Sequence, residues 1–446
     1  MKRFALLALL TACGAEEASR TITIDGPGRI WSPDAAFECD GATCVARGPV
    51  PLRVYAAPEP AFVAWSNGCE DIACDVDADV TVSFTAPSCA GNDATVGVVL
   101  YGQSLALGTQ GAPALTSTAA FPGEVFVLNP AADLLCDARE GRGCGWPDVE
   151  SPRTAIVETW RRLRGEGRFV MTSHGQGSTA IAELSRGSAA YGALLDRIER
   201  TKTLLDGDYV VPAVAFVHGP ADEGNDDYAT RLAVLAEDLD RDIRAITGQT
   251  SRVHLFIDQT SSWTRPPTPH APNVTLAQLA ACLEHRHIHC VAPQYDLDFT
   301  EDRLHLVAAS YRALGERFGA AMHQRFDRCE PSDAPYVETA IGADVIDVRY
   351  NTPVVVDLAR CPKQPGFGFE LVKDGELRSI RRVTATSDDR LRIETADACG
   401  AQLRYAFTGE PSGGGGCRED GARAPAGNVH GERAALTQSI RVVCAD

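Results

Sequence analysis

The stretch Thr95-Val96-Gly97-Val98-Val99-Leu100-Tyr101-Gly102-Gln103-Ser104 decides the fold class of this 446-residue chain. Its first six residues form an almost continuous apolar run, which is typical of a strand that is buried on both faces of a sheet. Similar runs recur downstream at 124–128, 168–172, 210–217, 253–257 and 288–292. Strands of this kind are found mainly in parallel sheets that helices cover.

Longer amphipathic stretches separate these apolar runs. Apolar residues recur near helical spacing at 154–163, 179–205, 228–246, 276–284 and 304–323. The alternation of strands and helices predicts an α/β domain over residues 91–330, with a parallel sheet that helices cover on both faces. Functional sites in such domains lie at the carboxyl ends of the strands.

The segments on either side of this domain have a different pattern. Residues 13–90 contain short alternating runs, such as 21–24 and 80–84, which Gly, Pro and Asp interrupt. They predict a small β module. Residues 331–446 again contain short β-like runs between turns, and they predict a β-sandwich-like module.

The first residues resemble a bacterial export signal. Lys2 and Arg3 supply positive charge, and residues 4–10 form an apolar run that is too short to span a bilayer. The small residues before Cys13 resemble a lipobox, in which the cysteine becomes the lipidated first residue. We therefore expect a lipoprotein signal peptide at 1–12 and a lipid anchor at Cys13 that holds the exported protein at the outer membrane or cell surface. An ordinary signal peptide with an unrelated cysteine is the alternative.

The cysteine content agrees with export, and the net charge excludes one class of partner. The chain has 15 cysteines, so 14 remain to pair in an oxidising compartment once Cys13 is set aside. Local disulfides are expected for four close pairs, namely Cys39–Cys44, Cys69–Cys74, Cys136–Cys144 and Cys282–Cys290. The formal net charge of −18, with no basic stripe, argues against binding to nucleic acid.

Neither a metal nor an organic cofactor is expected. No Cys-x-x-Cys pair occurs in the sequence. His285, His287 and His289 alternate beside Cys290, so on a strand they would share one face and could bind zinc. The favoured interpretation is a polar strand entry next to a disulfide.

Two short motifs carry the candidate chemistry. Ser104 follows the first strand of the α/β domain, where a base can reach its hydroxyl. Asp302 precedes His305 by three residues, and this spacing lets the carboxylate bind the imidazole Nδ1–H and leave Nε2 free to deprotonate a serine. Taken singly, the motifs could be a turn serine and a helix cap followed by a surface histidine. Asp296 and Asp298 are further candidates for the acid.

Together these motifs resemble the SGNH hydrolase superfamily, and within it the carbohydrate esterases related to sialate O-acetylesterases and acetylxylan esterases. Those proteins open with a Gly-Gln-Ser block after the first strand and close with an Asp-x-x-His-Leu block, here 302–306. The resemblance covers roughly residues 94–328, with further blocks at 174–179, 216–222, 258–263 and 291–295. It implies the three-layer, flavodoxin-like SGNH fold for the central domain.

The resemblance also implies a role for each matching residue. Ser104 would be the nucleophile, His305 the general base and Asp302 the acid that orients it. The backbone N–H of Gly177 would donate to the oxyanion, together with that of Ser104. His218 stands at the position of a further family donor.

Three positions depart from the family pattern. Leu105 stands where many relatives have Asn, His218 replaces the usual Gln, and Pro220 replaces the usual Glu. A neutral imidazole still has one N–H to donate to an oxyanion, so the predicted role of His218 is retained. The departures affect the expected substrate class more than the nucleophile.

Other polar residues near these blocks have their own interpretations. The sequence around Ser173 is similar to the nucleophile elbow of α/β-hydrolases, but neither Ser173 nor Ser178 satisfies Gly-x-Ser-x-Gly. Asp222 and Glu223 could bind hydroxyl groups of a substrate, or could serve hydrogen bonds within their own loop.

The resemblance therefore implies a serine esterase that removes acetyl groups from a carbohydrate through an acyl-serine intermediate. The expected partners are an acetylated carbohydrate and the membrane that holds the lipid anchor. A lipid or peptidoglycan ester is an alternative substrate. The alternative function is that of a non-catalytic surface lipoprotein, which keeps the hydrolase fold and binds glycan or protein.

Overall fold

The computed structural model describes residues 18–87, 89, 94–205, 207–261, 272–356, 366–407, 429–430 and 433–444. The predicted signal segment and Cys13 lie outside these residues, so the lipid anchor stays a prediction. Within the described residues, every helix is too short or too polar to cross a membrane.

The N-terminal part is an all-β module of two sheets. Its strands are β1 Ala18–Asp25, β2 Arg29–Trp31, β3 Phe37–Asp40, β4 Thr43–Gly48, β5 Leu52–Ala57, β6 Phe62–Trp65, β7 Ala73–Val76 and β8 Val80–Phe84. The sheets have the strand orders β3-β4-β1-β8-β6 and β2-β5-β7. In β8, Val80, Val82 and Phe84 are buried while the residues between them are partly exposed, as the two-residue period of a half-buried strand requires.

The central part is a seven-stranded sheet with helices. Its strands are β9 Thr95–Gly102, β10 Val125–Asn129, β11 Leu134–Asp137, β12 Phe169–Gly175, β13 Tyr209–Val217, β14 His254–Gln259 and β15 Ile288–Pro293. Its helices are α1 Pro152–Arg164, α2 Ala189–Leu204, α3 Tyr228–Thr247, α4 Asn273–Glu284 and α5 Ala308–Asp327. The strand order is β11-β10-β12-β9-β13-β14-β15, and β11 is the antiparallel strand at one edge.

Side chains on the two faces of this sheet belong to two separate cores. On β9, Val99 packs in one core with residues of α2, α3 and α4, whereas Val98 packs in the other with residues of α1 and α5. All eight residues of β9 are buried, which explains its continuous apolar run. The mixed α/β class expected from the alternation of strands and helices is confirmed.

Two predicted helices have different limits in the structure. The segment 179–205 divides into a 3₁₀ turn, Ile181–Leu184, and α2, because the Ser188 side chain caps a new helix by accepting from the Tyr191 amide. The helix predicted from 304 begins only at Ala308. Before it, the Thr300 amide donates to the His305 carbonyl at 2.7 Å and closes a turn.

The C-terminal part contains two four-stranded sheets. Its strands are β16 Val337–Gly342, β17 Val345–Tyr350, β18 Val355–Val356, β19 Phe369–Lys373, β20 Glu376–Arg378, β21 Arg382–Ser387, β22 Arg390–Glu394, β23 Gln402–Tyr405, β24 Val429–His430 and β25 Gln438–Arg441. The sheets have the orders β16-β17-β22-β21 and β20-β19-β23-β25, and β18 pairs with β24. Ile346 from one sheet and Leu403 from the other pack in one core.

Six disulfides lie among the residues that the structure describes. The four predicted local pairs are all present, namely Cys39–Cys44, Cys69–Cys74, Cys136–Cys144 and Cys282–Cys290. Two further bonds, Cys89–Cys329 and Cys399–Cys444, join residues 240 and 45 positions apart. Cys89–Cys329 ties the segment that enters the central sheet to the segment that leaves it. The module boundaries predicted near residues 90 and 330 remain predictions.

Candidate active site

Three neighbouring strands bring the candidate residues to one edge of the sheet. β9 lies between β12 and β13, and Gly102 at its end is level with Gly175 on one side and Val217 on the other. Because all three strands run parallel, the loops that follow them meet at the same edge. These are the serine loop (103–111), the glycine loop (176–180) and the segment that begins at His218.

The entry to the serine loop requires glycine. Gly102 has a φ of +146°, and a Cβ atom at this position would lie 2.1 Å from the carbonyl oxygen of Val217. Real side chains do not tolerate such an approach to a backbone atom. The Gln103 amide then donates to the same carbonyl at 3.2 Å, which holds the start of the loop against β13. The chain can therefore turn sharply and present Ser104 at the sheet edge.

The structure brings Ser104, His305 and Asp302 into one line of hydrogen bonds. His305 Nε2 lies 2.9 Å from Ser104 Oγ, and His305 Nδ1 lies 2.6 Å from Asp302 Oδ2. Since a carboxylate only accepts, Nδ1 carries the proton and Nε2 is free to accept from the serine hydroxyl. Ser104 is 8% exposed, so it is largely buried but still has a small area open to solvent.

Asp302 is held by its own loop. Its Oδ1 accepts hydrogen bonds from the amides of Leu304 at 2.8 Å and His305 at 2.9 Å, and it lies 2.9 Å from Thr300 Oγ1. Partial burial raises the pKa of Asp302, but the backbone and ring hydrogen bonds from His305, with those from Leu304 and Thr300, outweigh it and lower the pKa. The carboxylate is therefore ionised throughout the neutral range and stabilises a protonated His305.

Gly177 lies beside the serine. A Cβ atom built on Gly177 would meet the Cβ of Ser104 at 3.7 Å, so the glycine loop passes close to Ser104 on the serine loop. Gln103 connects the serine loop to the segment that begins at His218, because its buried side-chain Oε1 accepts a hydrogen bond from the Ala221 amide at 3.4 Å. The three loops are thus joined around Ser104.

His218 does not serve the site in the predicted way. Its ring is fully buried, Nε2 lies 2.9 Å from the Thr179 carbonyl, and Nδ1 lies 3.0 Å from the Tyr228 hydroxyl. Burial lowers the pKa of His218, so the ring is neutral and has a single N–H. A carbonyl only accepts, so this N–H donates to Thr179 and none is left for an oxyanion. The structure therefore assigns His218 a role in joining loops instead of the predicted donor role.

Asp296, an alternative for the acid, and Asp222, a candidate for binding substrate hydroxyl groups, both have structural partners. Asp296 forms a two-point ion pair with Arg317 at 2.8 and 2.7 Å. Asp222 accepts from the Ile181 amide at 2.6 Å and from Asn225 at 2.8 Å, so its carboxylate holds the loop around it. Both groups are thus engaged in hydrogen bonds that stabilise the fold.

The histidine-rich strand entry is also structural. His289 Nε2 lies 2.8 Å from His254 Nδ1, and His285 Nδ1 lies 3.2 Å from an oxygen of Asp71. Among the residues that the structure describes, no three His, Cys, Asp or Glu side chains are arranged to hold a metal ion. His289 lies on β15 beside the Cys282–Cys290 disulfide, where the strand-entry interpretation expects it.

Two residues of the site carried no signal in the sequence. Gln110 donates through Nε2 to Asp302 Oδ2 at 2.9 Å, and the Thr300 hydroxyl lies 2.9 Å from Gln110 Oε1. Glutamine and threonine are common in loops, and the two residues are 190 positions apart, so only the folded chain shows that they meet at the carboxylate.

A buried carboxyl group lies on a neighbouring strand. Asp258, near the end of β14, is fully buried and accepts a hydrogen bond from Gln294. Burial raises its pKa to about 7, although the hydrogen bond from Gln294 acts in the opposite direction. This carboxyl group therefore changes its protonation near neutral pH.

Asp258→Asn should flatten the pH dependence of stability. The folded-state pKa lies above that of the unfolded chain, so the folded protein binds more protons and the wild type loses stability as the pH rises from about 4 to 7. Between pH 5 and pH 8 this group accounts for about 3 kcal/mol of that loss, at 1.36 kcal/mol per pKa unit. Urea unfolding at pH 5 and pH 8 measures the effect, with the exposed Asp208→Asn as the matched control. An equal decrease in the wild type and Asp258→Asn would contradict this account.

The line from Ser104 through His305 to Asp302 has the geometry of a serine hydrolase site. Comparison with known proteins finds a family model that matches part of the chain. A protein-family model described as "Carbohydrate esterase, sialic acid-specific acetylesterase" matches residues 152–324, which include Asp302 and His305 and begin after Ser104. This match supports a carboxylic ester hydrolase of the carbohydrate esterase type. No curated protein sequence matches the chain.

Solved structures are similar to this chain to different extents. A carbohydrate acetylesterase from Xanthomonas citri is 14% identical, with a TM-score of 0.52 over 94% of this chain and 96% of that chain. A protein from Arabidopsis thaliana is 18% identical, with a TM-score of 0.40 over 52% of this chain and 99% of that chain. At these identities the likeness to the Xanthomonas citri enzyme concerns the fold alone.

Proposed function

We propose that this protein hydrolyses acetyl esters on a carbohydrate through an acyl-serine intermediate. The observation that carries the proposal is the pair of hydrogen bonds from Ser104 to His305 and from His305 to Asp302. The match to a carbohydrate esterase family supports the class of substrate. No resident metal or organic cofactor is required, because the side chains supply a nucleophile, a base and an orienting acid.

In the first half of the proposed reaction the serine is acylated. Ser104 Oγ attacks the ester carbonyl carbon while His305 Nε2 takes the hydroxyl proton. The tetrahedral intermediate then collapses, the bond from carbon to the sugar oxygen breaks, and His305 returns the proton to that oxygen. The products of this half are the free sugar hydroxyl and acetyl-Ser104.

In the second half water removes the acetyl group. His305 Nε2 takes a proton from the water molecule as its oxygen attacks the acetyl carbonyl. Collapse of the second tetrahedral intermediate breaks the bond to Ser104 Oγ, which regains the proton from His305. Asp302, ionised because its hydrogen bonds lower its pKa, stabilises the imidazolium in both halves.

In the proposed reaction, backbone N–H groups stabilise the negatively charged oxygen of each tetrahedral intermediate. The amides of Ser104 and Gly177 are the candidates, since Gly177 lies against Ser104 and the His218 ring donates to Thr179. Leu105, at the position where relatives have Asn, is fully buried in the core beneath α1 and α5 and offers no polar group. Each donor of this type contributes about 2.7–4 kcal/mol to lowering the barrier, so a site with two donors remains competent.

A fluorophosphonate probe tests the proposal. The purified protein should form a covalent adduct at Ser104, located by peptide mass spectrometry, and should lose acetate release from p-nitrophenyl acetate and from acetylated sugars in proportion to labelling. Preincubation with an acetylated sugar should slow the labelling. A protein that binds acetylated glycan but forms no adduct and releases no acetate would contradict the proposal and favour the alternative, a non-catalytic binding lipoprotein.

A further inference from the structure

Gln110 links the two halves of the candidate site. Its Nε2 donates to Asp302 Oδ2 at 2.9 Å, the same oxygen that accepts from His305 Nδ1 at 2.6 Å. Gln110 Nε2 and His305 Nδ1 are 3.4 Å apart, and because both carry N–H groups they converge on the carboxylate without bonding to each other. The serine loop therefore contacts the acid of the triad as well as its base.

The orientation of the Gln110 amide follows from its partners. The Thr300 hydroxyl lies 2.9 Å from Gln110 Oε1 and also 2.9 Å from Asp302 Oδ1. A flipped amide would place its oxygen against the ionised Asp302 Oδ2, where two acceptors would repel each other. The hydrogen-bond pattern thus fixes Nε2 as the atom that faces the carboxylate.

The backbone of the serine loop directs this side chain. Gln110 has a φ of +65°, in the left-handed region that non-glycine residues seldom adopt. The preceding residue is fixed on both sides, because the Thr109 amide donates to the Ser104 carbonyl at 3.1 Å and Tyr311 Oη donates to the Thr109 carbonyl at 2.8 Å. Strained backbone of this kind persists where the surrounding contacts hold it, and it is concentrated at functional sites.

We propose that Gln110 is a positioning residue, which holds the Asp302 carboxylate against the His305 ring and keeps the serine loop in register with the segment that carries the base. This role rests on the proposed ester hydrolysis. The amide hydrogen bond also draws negative charge toward itself and away from the imidazole. Loss of Gln110 should therefore make His305 a stronger base in a less well defined position.

Within the described part of the chain, few ionisable side chains surround His305, so the effect of Gln110 on the basicity of His305 can be measured. On its own segment, His305 forms a hydrogen bond with Asp302. The charged residues Glu301 and Arg303 are close in the sequence, and both are exposed. From α5, Tyr311 packs nearby and donates to Thr109. The serine loop carries no acidic or basic side chain, so a charge placed at position 110 is a single defined perturbation.

The neighbouring segments add two imidazole rings, those of His174 and His218, and burial lowers the pKa of both. His174, at the end of β12, stacks on Tyr101, and burial lowers the pKa of His174 to about 4. It is therefore neutral over the range in which an ordinary histidine titrates.

The test is an NMR titration of His305 in the full chain. Histidines are labelled with ¹³C at Cε1, and the His305 signal is assigned with His305→Asn. Gln110→Glu should raise the measured pKa of His305 by about one unit, because a carboxylate is placed close to the imidazolium. Gln110→Leu should raise it by about 0.3 unit, because a donor to Asp302 is lost. The matched controls, Gln402→Glu and Gln402→Leu, change an exposed glutamine on the C-terminal sheet and should leave the titration unchanged.

Kinetics give a second readout. The acidic limb of kcat/KM against pH should move to higher pH in Gln110→Glu, and kcat in Gln110→Leu should fall by roughly 3- to 30-fold with little change in KM. His305 titrations identical to the wild type in both Gln110 variants would overturn the inference. Shifted titrations in a protein that hydrolyses no ester would support the contact to the triad acid while refuting the proposed function, since the NMR readout requires no turnover.

Discussion

Ser104→Ala should lower kcat for ester hydrolysis by about 10⁴- to 10⁶-fold, with a much smaller change in KM. The methyl group removes the atom that forms the acyl-enzyme, and His305 Nε2, which lies 2.9 Å from Ser104 Oγ, then has no hydroxyl to deprotonate. Backbone donors and substrate binding remain, so a residual rate above that of water is expected. Acetate release from p-nitrophenyl acetate measures the loss, and the intact variant should form no adduct with the fluorophosphonate.

Ser173→Ala is the matched control for this variant. Ser173 lies near the end of β12 at the same edge of the sheet, is equally buried, and is the serine that the alternative nucleophile elbow would use. Its carbonyl accepts from Arg197 at 2.5 Å, and the substitution leaves this backbone contact in place. Activity within about threefold of the wild type is expected, since substitutions away from special features change little. A fully active Ser104→Ala beside an inactive Ser173→Ala would reassign the nucleophile.

Much of the central fold follows from local sequence patterns. Strands that are buried on both faces form continuous apolar runs, so each of the six runs predicted from the sequence overlaps a strand of the central sheet. The local disulfides could be predicted because residues separated by five to eight positions in a turn-rich segment meet wherever the chain reverses. Cys89–Cys329 gives no such signal, because its partners are 240 positions apart and meet only when the sheet has formed.

At the site, too, the sequence predicts contacts within a short segment better than contacts between distant segments. Asp302 and His305 share a short motif, and Thr300 lies two positions before Asp302, whereas Gln110 approaches the carboxylate from a loop 192 positions away in the sequence. The role of His218 depends on the orientation of its ring, which the sequence does not show. In the structure the ring is buried and its two nitrogens face Thr179 and Tyr228. The segment before α5 looked helical by apolar spacing, but the hydrogen bonds that Asp302 accepts from the next residues hold it in a turn.

Asp302→Asn should lower kcat near neutral pH by about 10⁴-fold while the fold is retained. Asp302 Oδ1 accepts from the amides of Leu304 and His305, so the one oxygen of an asparagine would stay at that position. Its NH₂ group would then replace Oδ2 and donate to His305 Nδ1. The histidine would adopt the tautomer with the proton on Nε2, which donates to Ser104 instead of accepting its proton.

The tautomer can be checked separately from the rate. Nitrogen chemical shifts of ¹⁵N-labelled histidine should show Nδ1 protonated in the wild type and Nε2 protonated in Asp302→Asn, with the fold verified by the melting temperature. Asp298→Asn is the control, because Asp298 is the exposed acid that the sequence left as an alternative. It should retain kcat within about threefold of the wild type. If Asp298→Asn were inactive and Asp302→Asn fully active, Asp298 would be the acid that orients His305, and the short contact between Asp302 and His305 would be structural only.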